Sequence, residues 1–198
     1  MRATPQEIAA ALPGDDLVDA NVVMDRATTL PGTAEDLWPW LVQLGKRRAG
    51  WYFPRTVERF LPPGGRGLRH LEPTYARLVT GDRVPDWGPG EPEFEVALLD
   101  PPHALVYRSL RQRSRGHRWP VVDPPPADTL DLTWALVCRD VGGDAGVRLH
   151  LRLRVRTTRS WTVPVARFAG GAIDALTVRL LFAGLRERLA GTARRSRE

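Results

Sequence analysis

At 198 residues, 42% of them apolar, the chain has the length of one domain and enough apolar side chains for a substantial core. Its formal charge of +6 is carried by arginine, Lys46 being the only lysine. That bias fits the codon usage of a GC-rich genome better than selection for phosphate, so nucleic acid is set aside as a partner despite the basic balance.

In chain order, residues 1–18 read as a peripheral lead-in, with Ile8, Ala9 and Leu12 as a thin apolar stripe. Gln6 and Glu7 fall where the apolar core of a secretory signal would begin, and the lone Cys138 allows no internal disulfide. Both point to a reducing, cytoplasmic setting. Asn21 to Leu30 predicts a strand ending at Pro31-Gly32. Thr33 then caps a helix with Glu35 and Asp36 in its first turn and Leu37, Trp38, Leu41 and Leu44 on its buried side, stopping at Gly45. Trp51 to Leu61 predicts a second short helix, halted by Pro62-Pro63-Gly64-Gly65.

From Asp82 the period changes to two. Phe94, Val96 and Leu98 are expected on one face, followed by a turn at Asp100-Pro101-Pro102, a strand from Ala104 to Leu110, and a polar loop from Arg111 to Asp128. Leu130, Leu132, Trp134, Leu136 and Cys138 alternate with polar residues. Val147 to Val155 alternates aliphatic residues with Arg and His and predicts a half-exposed antiparallel strand with His150 facing water. Val165 to Ala190 carries two apolar stripes at helical spacing, one through Phe168, Ala172, Leu176, Leu180 and Ala183, the other through Val178, Phe182, Leu185 and Leu189. A helix so broadly apolar needs a curved sheet around it. Arg167, Asp174 and Arg179 interrupt the run from Trp161 to Leu185 and argue against a membrane span.

Strand, two short helices, antiparallel strands and one long C-terminal helix is the plan of the SRPBCC superfamily, which includes START lipid-transfer domains, birch-pollen-allergen-like proteins and polyketide cyclases. The stretch Leu37-Trp38-Pro39-Trp40-Leu41-Val42-Gln43-Leu44-Gly45, with Arg48-Ala49-Gly50-Trp51-Tyr52 and Gly81-Asp82-Arg83-Val84-Pro85, resembles a bacterial subgroup of that superfamily. The resemblance spans roughly residues 20–190. It implies an α+β helix-grip fold over residues 19–191, between the lead-in (1–18) and a basic tail (192–198), with a hollow between sheet and helix. Such hollows hold hydrophobic ligands in lipid carriers and serve ring closure in cyclases.

The expected partner is therefore a small hydrophobic molecule, lipid or polyketide-like, with no cofactor. The expected ligand-binding residues are Arg26, Trp51, Tyr52, Asp86, Phe94, Tyr107, Trp134 and Leu149, with Phe168, Ala172 and Leu176 from the helix; Met24, Val96, Leu132 and Leu151 complete the inward set. Arg26 shares the parity of Met24 and needs a partner, with Asp86, Glu58 or a ligand carboxylate as the choices. Packing alone is the plainer reading of any single apolar member. A cyclase or aromatase using Arg26, Tyr107 or Asp86 is the enzymatic alternative, with no catalytic residue assigned. The other alternative is an interaction module docking through the second helical stripe. His70, His103, His117, His150 and Cys138 have no metal-site spacing. Arg108, Arg111, Arg113, Arg115 and Arg118 form a solvated loop, or a contact with an anionic membrane surface. The sequence sets no oligomeric state.

Overall fold

A computed structural model describes residues 2–87, 91–112, 129–142, 146–157 and 171–195. The chain is α+β. Six antiparallel strands form one curved sheet: β1 (Val22–Leu30), β2 (Arg83–Pro85), β3 (Glu93–Asp100), β4 (Ala104–Gln112), β5 (Thr129–Val141) and β6 (Gly146–Thr157), in the order β1-β6-β5-β4-β3-β2. Among the described residues four α-helices accompany them: α1 (Pro5–Ala9), α2 (Ala34–Gln43), α3 (Arg55–Glu58) and the long α4 (Gly171–Arg195), which lies across the concave face.

The β5–β6 pair is the longest ladder, running from Leu130 opposite Thr157 to Val141 opposite Gly146. Alternation on both strands sends Leu136, Cys138, Leu149 and Leu151 into the core beneath α4. Thr33 caps α2 as expected: its hydroxyl accepts from the Asp36 N–H, and the Asp36 carboxylate accepts from the Thr33 N–H at 3.0 Å. Trp40, rather than Trp38, is the fully buried tryptophan of α2. Between Trp51 and Leu61 only Arg55–Glu58 is helical, since Pro54 sets the start and Glu58 turns inward to meet arginines.

Three expectations about facing are corrected. A bulge between Val96 and Leu98 shifts the register of β3 against β4, so Leu98 packs on the outer face while Leu99 takes the inner one. His150 does not face water. The residues before β1 fold over the convex face, burying Leu12 and Val18 and enclosing His150 and Arg152. Arg152 donates to the carbonyls of Ile8 and Ala10 and to Asp15 and Asp25, and His150 Nε2 lies 2.7 Å from Asp25 Oδ1. Burial tends to raise the Asp25 pKa, but its bonds to His150 and Arg152 hold it below the usual carboxylate range. The lead-in is thus a structural cover rather than a peripheral strand of chain.

The third correction concerns α4. Its buried face is Val178, Leu181, Phe182, Leu185 and Leu189, whereas Leu176 is 59% exposed. With both stripes apolar, helical spacing alone does not say which one meets the sheet, and the buried face follows the second stripe plus Leu181. At Gly184 the helix crosses the segment at Tyr52 so closely that a Cβ would collide with the Tyr52 carbonyl. One turn later Arg188, fully buried, donates to Glu58 at 2.9 Å and to the carbonyls of Phe53, Leu68 and Gly67. Arg69 bonds the other Glu58 oxygen at 2.6 Å, so both carboxylate oxygens are matched. Among the described residues no helix is long and apolar enough to cross a membrane.

Candidate functional site

Below the N-terminal half of α4 the packing opens. A hollow of about 530 Å³ lies between β1, β6, β5, β4 and β3 on one side and Ile173, Asp174, Thr177 and Val178 of α4 on the other. Inward-facing residues of alternate strand positions supply Met24, Phe94, Tyr107, Leu130, Leu132 and Trp134, and the loops add Trp51, Asp86 and Trp87. The aromatic wall is continuous. Trp51 stacks on Trp134 at 5.9 Å between centroids, Trp134 on Tyr107 at 6.1 Å, and Phe94 leans on Tyr107 at 5.7 Å. Trp87 meets Trp51 edge-on at 5.9 Å and closes one corner.

The polar groups around this wall fall into two sets. Two carboxylates are already matched: Asp86 with Arg111 at 2.6 Å, and Asp174 with Arg26 at 3.0 Å. Arg26 therefore finds its partner on the helix, not in Asp86 or Glu58. Burial raises the Asp174 pKa above the usual carboxylate value, with the Arg26 charge opposing. The second set is buried atoms without a hydrogen bond: besides Asp174 Oδ2, whose 3.0 Å contact with Arg26 is an ion pair without hydrogen-bond geometry, it holds two neutral groups. The Tyr107 hydroxyl and the Trp51 indole N–H are buried and, among the described residues, neither has a hydrogen-bond partner. Burial holds the Tyr107 hydroxyl well above the usual phenol range, Arg48 opposing it. A neutral donor left unmatched in a buried site costs about 1–3 kcal/mol.

Of the residues expected to bind a ligand, Trp51, Asp86, Phe94, Tyr107 and Trp134 come together around the hollow, and Arg26 stands at its edge through Asp174. Three lie elsewhere. Tyr52 is fully buried toward α2, its hydroxyl donating to the Trp40 carbonyl at 3.0 Å and its ring under Arg188. Leu149 is sealed in the core, and Leu176 points outward from α4 over a separate surface groove with Arg26 and Arg179. Phe168 lies outside the described residues, as does the side chain of Ala172. Reading by strand parity missed Trp87, Asp174 and Thr177, which come from a loop and a helix face that no period-2 signal marks. The stripe Val178, Phe182, Leu185 and Leu189 is buried and offers no outward docking face. Arg108 and Arg111 are ion-paired with Asp131 and Asp86; Arg113, Arg115 and Arg118 lie outside the described residues. Among the described residues no cluster of His, Cys, Asp or Glu is arranged to hold a metal ion.

Several solved bacterial structures share this architecture. One from Rhodobacter sphaeroides has a TM-score of 0.50 at 19% identity, covering 86% of this chain and 93% of its own. One from Mesorhizobium loti has a TM-score of 0.49 at 15% identity, covering 86% and 98%, and a conserved protein from Geobacillus kaustophilus 0.48 at 12%, covering 86% and 97%. The likeness is one of fold. No family model matches the chain, and no curated protein does.

Proposed function

We propose that the chain binds a small, largely apolar molecule, lipid or polyketide-like, in the hollow between the sheet and α4. The observation that carries this is a space of about 530 Å³ walled by Trp51, Phe94, Tyr107 and Trp134, two of which, Tyr107 and Trp51, carry a buried polar atom with no hydrogen-bond partner among the described residues. Small-molecule pockets run from about 300 to 1,000 Å³ with apolar walls and a few fixed polar groups, which is this arrangement. The sequence resemblance to the SRPBCC superfamily supports the same reading. Affinity would come from burying apolar ligand surface, about 25 cal/mol per Å² before association costs, and orientation from an acceptor atom placed at Tyr107.

A cyclase-type enzyme is the second reading, favoured by two groups with raised pKa values, Tyr107 and Asp174, around one hollow. Turnover of a carrier's ligand would distinguish it. The first experiment is native mass spectrometry of gently purified protein with extraction of what it carries. A near-stoichiometric hydrophobic molecule supports the proposal. A clean unliganded mass, with no thermal shift from sterols, fatty acids or aromatic polyketides, would overturn it. Tyr107→Phe should leave the fold intact or slightly more stable and weaken an acceptor-bearing ligand by about tenfold, measured by titration of the intrinsic tryptophan fluorescence.

A further inference from the structure

Beside the aromatic hollow runs a groove of opposite chemistry. It measures about 820 Å³, and its charged lining residues are Lys46, Arg47, Arg48 and Arg66, with no carboxylate among them. Lys46 Nζ donates to the Asp86 carbonyl at 3.0 Å, Arg48 Nη2 to the carbonyls of Tyr75 at 2.8 Å and Val42 at 3.2 Å, and Arg66 Nε to the Leu61 carbonyl at 2.9 Å. Backbone carbonyls orient these cationic heads without cancelling their charge. Among the described residues none of the three forms an ion pair, and Arg48 Nε is buried with no acceptor. Arg47 does pair with Glu91 at 3.0 Å, but both side chains stand mostly in water, where such a pair is weak and readily exchanged.

The contrast with the hollow next door matters. There each carboxylate faces its arginine, Asp86 with Arg111 and Asp174 with Arg26, and the buried atoms without a hydrogen bond are the neutral Tyr107 hydroxyl and Trp51 N–H and the carboxylate oxygen Asp174 Oδ2. An anionic group therefore has no counter-charge to meet inside the hollow and three in the groove. The two spaces are neighbours, with Trp51, Trp87 and Thr177 lining both and the Trp51–Trp87 contact standing between them. We infer that the ligand is an amphiphilic anion whose apolar body occupies the hollow while its phosphate or carboxylate sits in the groove against Lys46, Arg48 and Arg66. This rests on the hydrophobic-ligand reading and adds the headgroup chemistry to it. Charge-assisted hydrogen bonds from a cluster of cations favour a dianionic set of oxygen acceptors, and a half-open site makes the attraction sensitive to salt.

The test compares 1-naphthyl phosphate, 1-naphthol and inorganic phosphate by calorimetric titration at low ionic strength. Naphthyl phosphate should bind at least about tenfold more tightly than naphthol or phosphate alone, with the advantage shrinking in roughly 0.5 M salt. Lys46→Gln combined with Arg66→Gln should remove most of that advantage, leaving only the share due to Arg48, and leave naphthol binding unchanged with at most a small drop in melting temperature from the lost bonds to the Asp86 and Leu61 carbonyls; Arg66→Gln alone, at an exposed head, should remove a smaller part of it. Equal binding of naphthol and naphthyl phosphate would overturn the inference and leave the hollow as a neutral-ligand site. Inorganic phosphate binding as tightly as naphthyl phosphate would overturn it too, by showing a free-anion site that does not use the hollow. Binding of neither naphthyl compound would overturn it as well, while the co-purification experiment decides separately on the hydrophobic-ligand reading.

Discussion

The space between sheet and α4 has two ends built from the same strands, and they are filled differently. Toward the C-terminal half of α4, Leu136, Leu149, Leu151, Leu181, Phe182 and Leu185 are each buried to 2% exposure or less, and the Glu58–Arg188 pair closes the rim. Toward its N-terminal half, the strands present Phe94, Tyr107 and Trp134 instead, and space remains. Branched aliphatic side chains interlock and leave few voids. Flat rings stacked about 6 Å apart make a stiff wall that does not collapse into the gap in front of it. One fold thus keeps a stabilising end and a binding end apart by choice of side chain.

Substitutions at the two ends should separate stability from binding. The largest loss is expected at the packed end: Phe182→Ala removes a fully buried ring and should cost about 3–5 kcal/mol in urea unfolding, with ligand-induced protection of the same size as in the wild type. Loss of that protection in the variant would show that the ends are not independent. At the hollow end, Trp134→Ala removes a larger ring that already faces space on one side. It should cost only about 1–2 kcal/mol, because the void is there beforehand, and should abolish ligand-induced thermal shift.

Strand parity made most of the hollow legible. Phe94, Tyr107 and Trp134 sit where alternation places them, and the β5–β6 ladder follows the aliphatic-basic pattern residue for residue. What parity does not carry is position along the strand: Leu149 and Trp134 both face inward, yet one lies in the packed end and the other in the open one. Leu98 was misplaced because a bulge resets the count, and His150 because the cover on the convex face comes from residues far away in sequence. Neither leaves a local signal. Helical stripes are weaker guides still when both are apolar, as Leu176 and Leu181 show.

The smallest expected effect sharpens the comparison by pH. Asp174 binds its proton more firmly in the folded protein than in the unfolded chain, since burial raises its pKa, with Arg26 opposing. The stability from this group is complete below the unfolded value of about 4 and is lost as pH rises through the folded value. Asp174→Asn should therefore flatten the decline in melting temperature that sets in as pH rises above about 4. An unchanged pH profile would show that the Arg26 contact, not burial, governs this carboxyl.

The missing side chain at Gly184 lets the long helix lie directly on the Tyr52 segment, and with the clasp of Arg188 by Glu58 this holds one end of it. Eleven residues earlier, roughly 16 Å away along the axis at 1.5 Å of rise per residue, Ile173 and Asp174 lie over the hollow, and Asp174 is paired with Arg26 of β1. The roof of the hollow is thus a beam supported at both ends, and its span sets the length of molecule that fits beneath it.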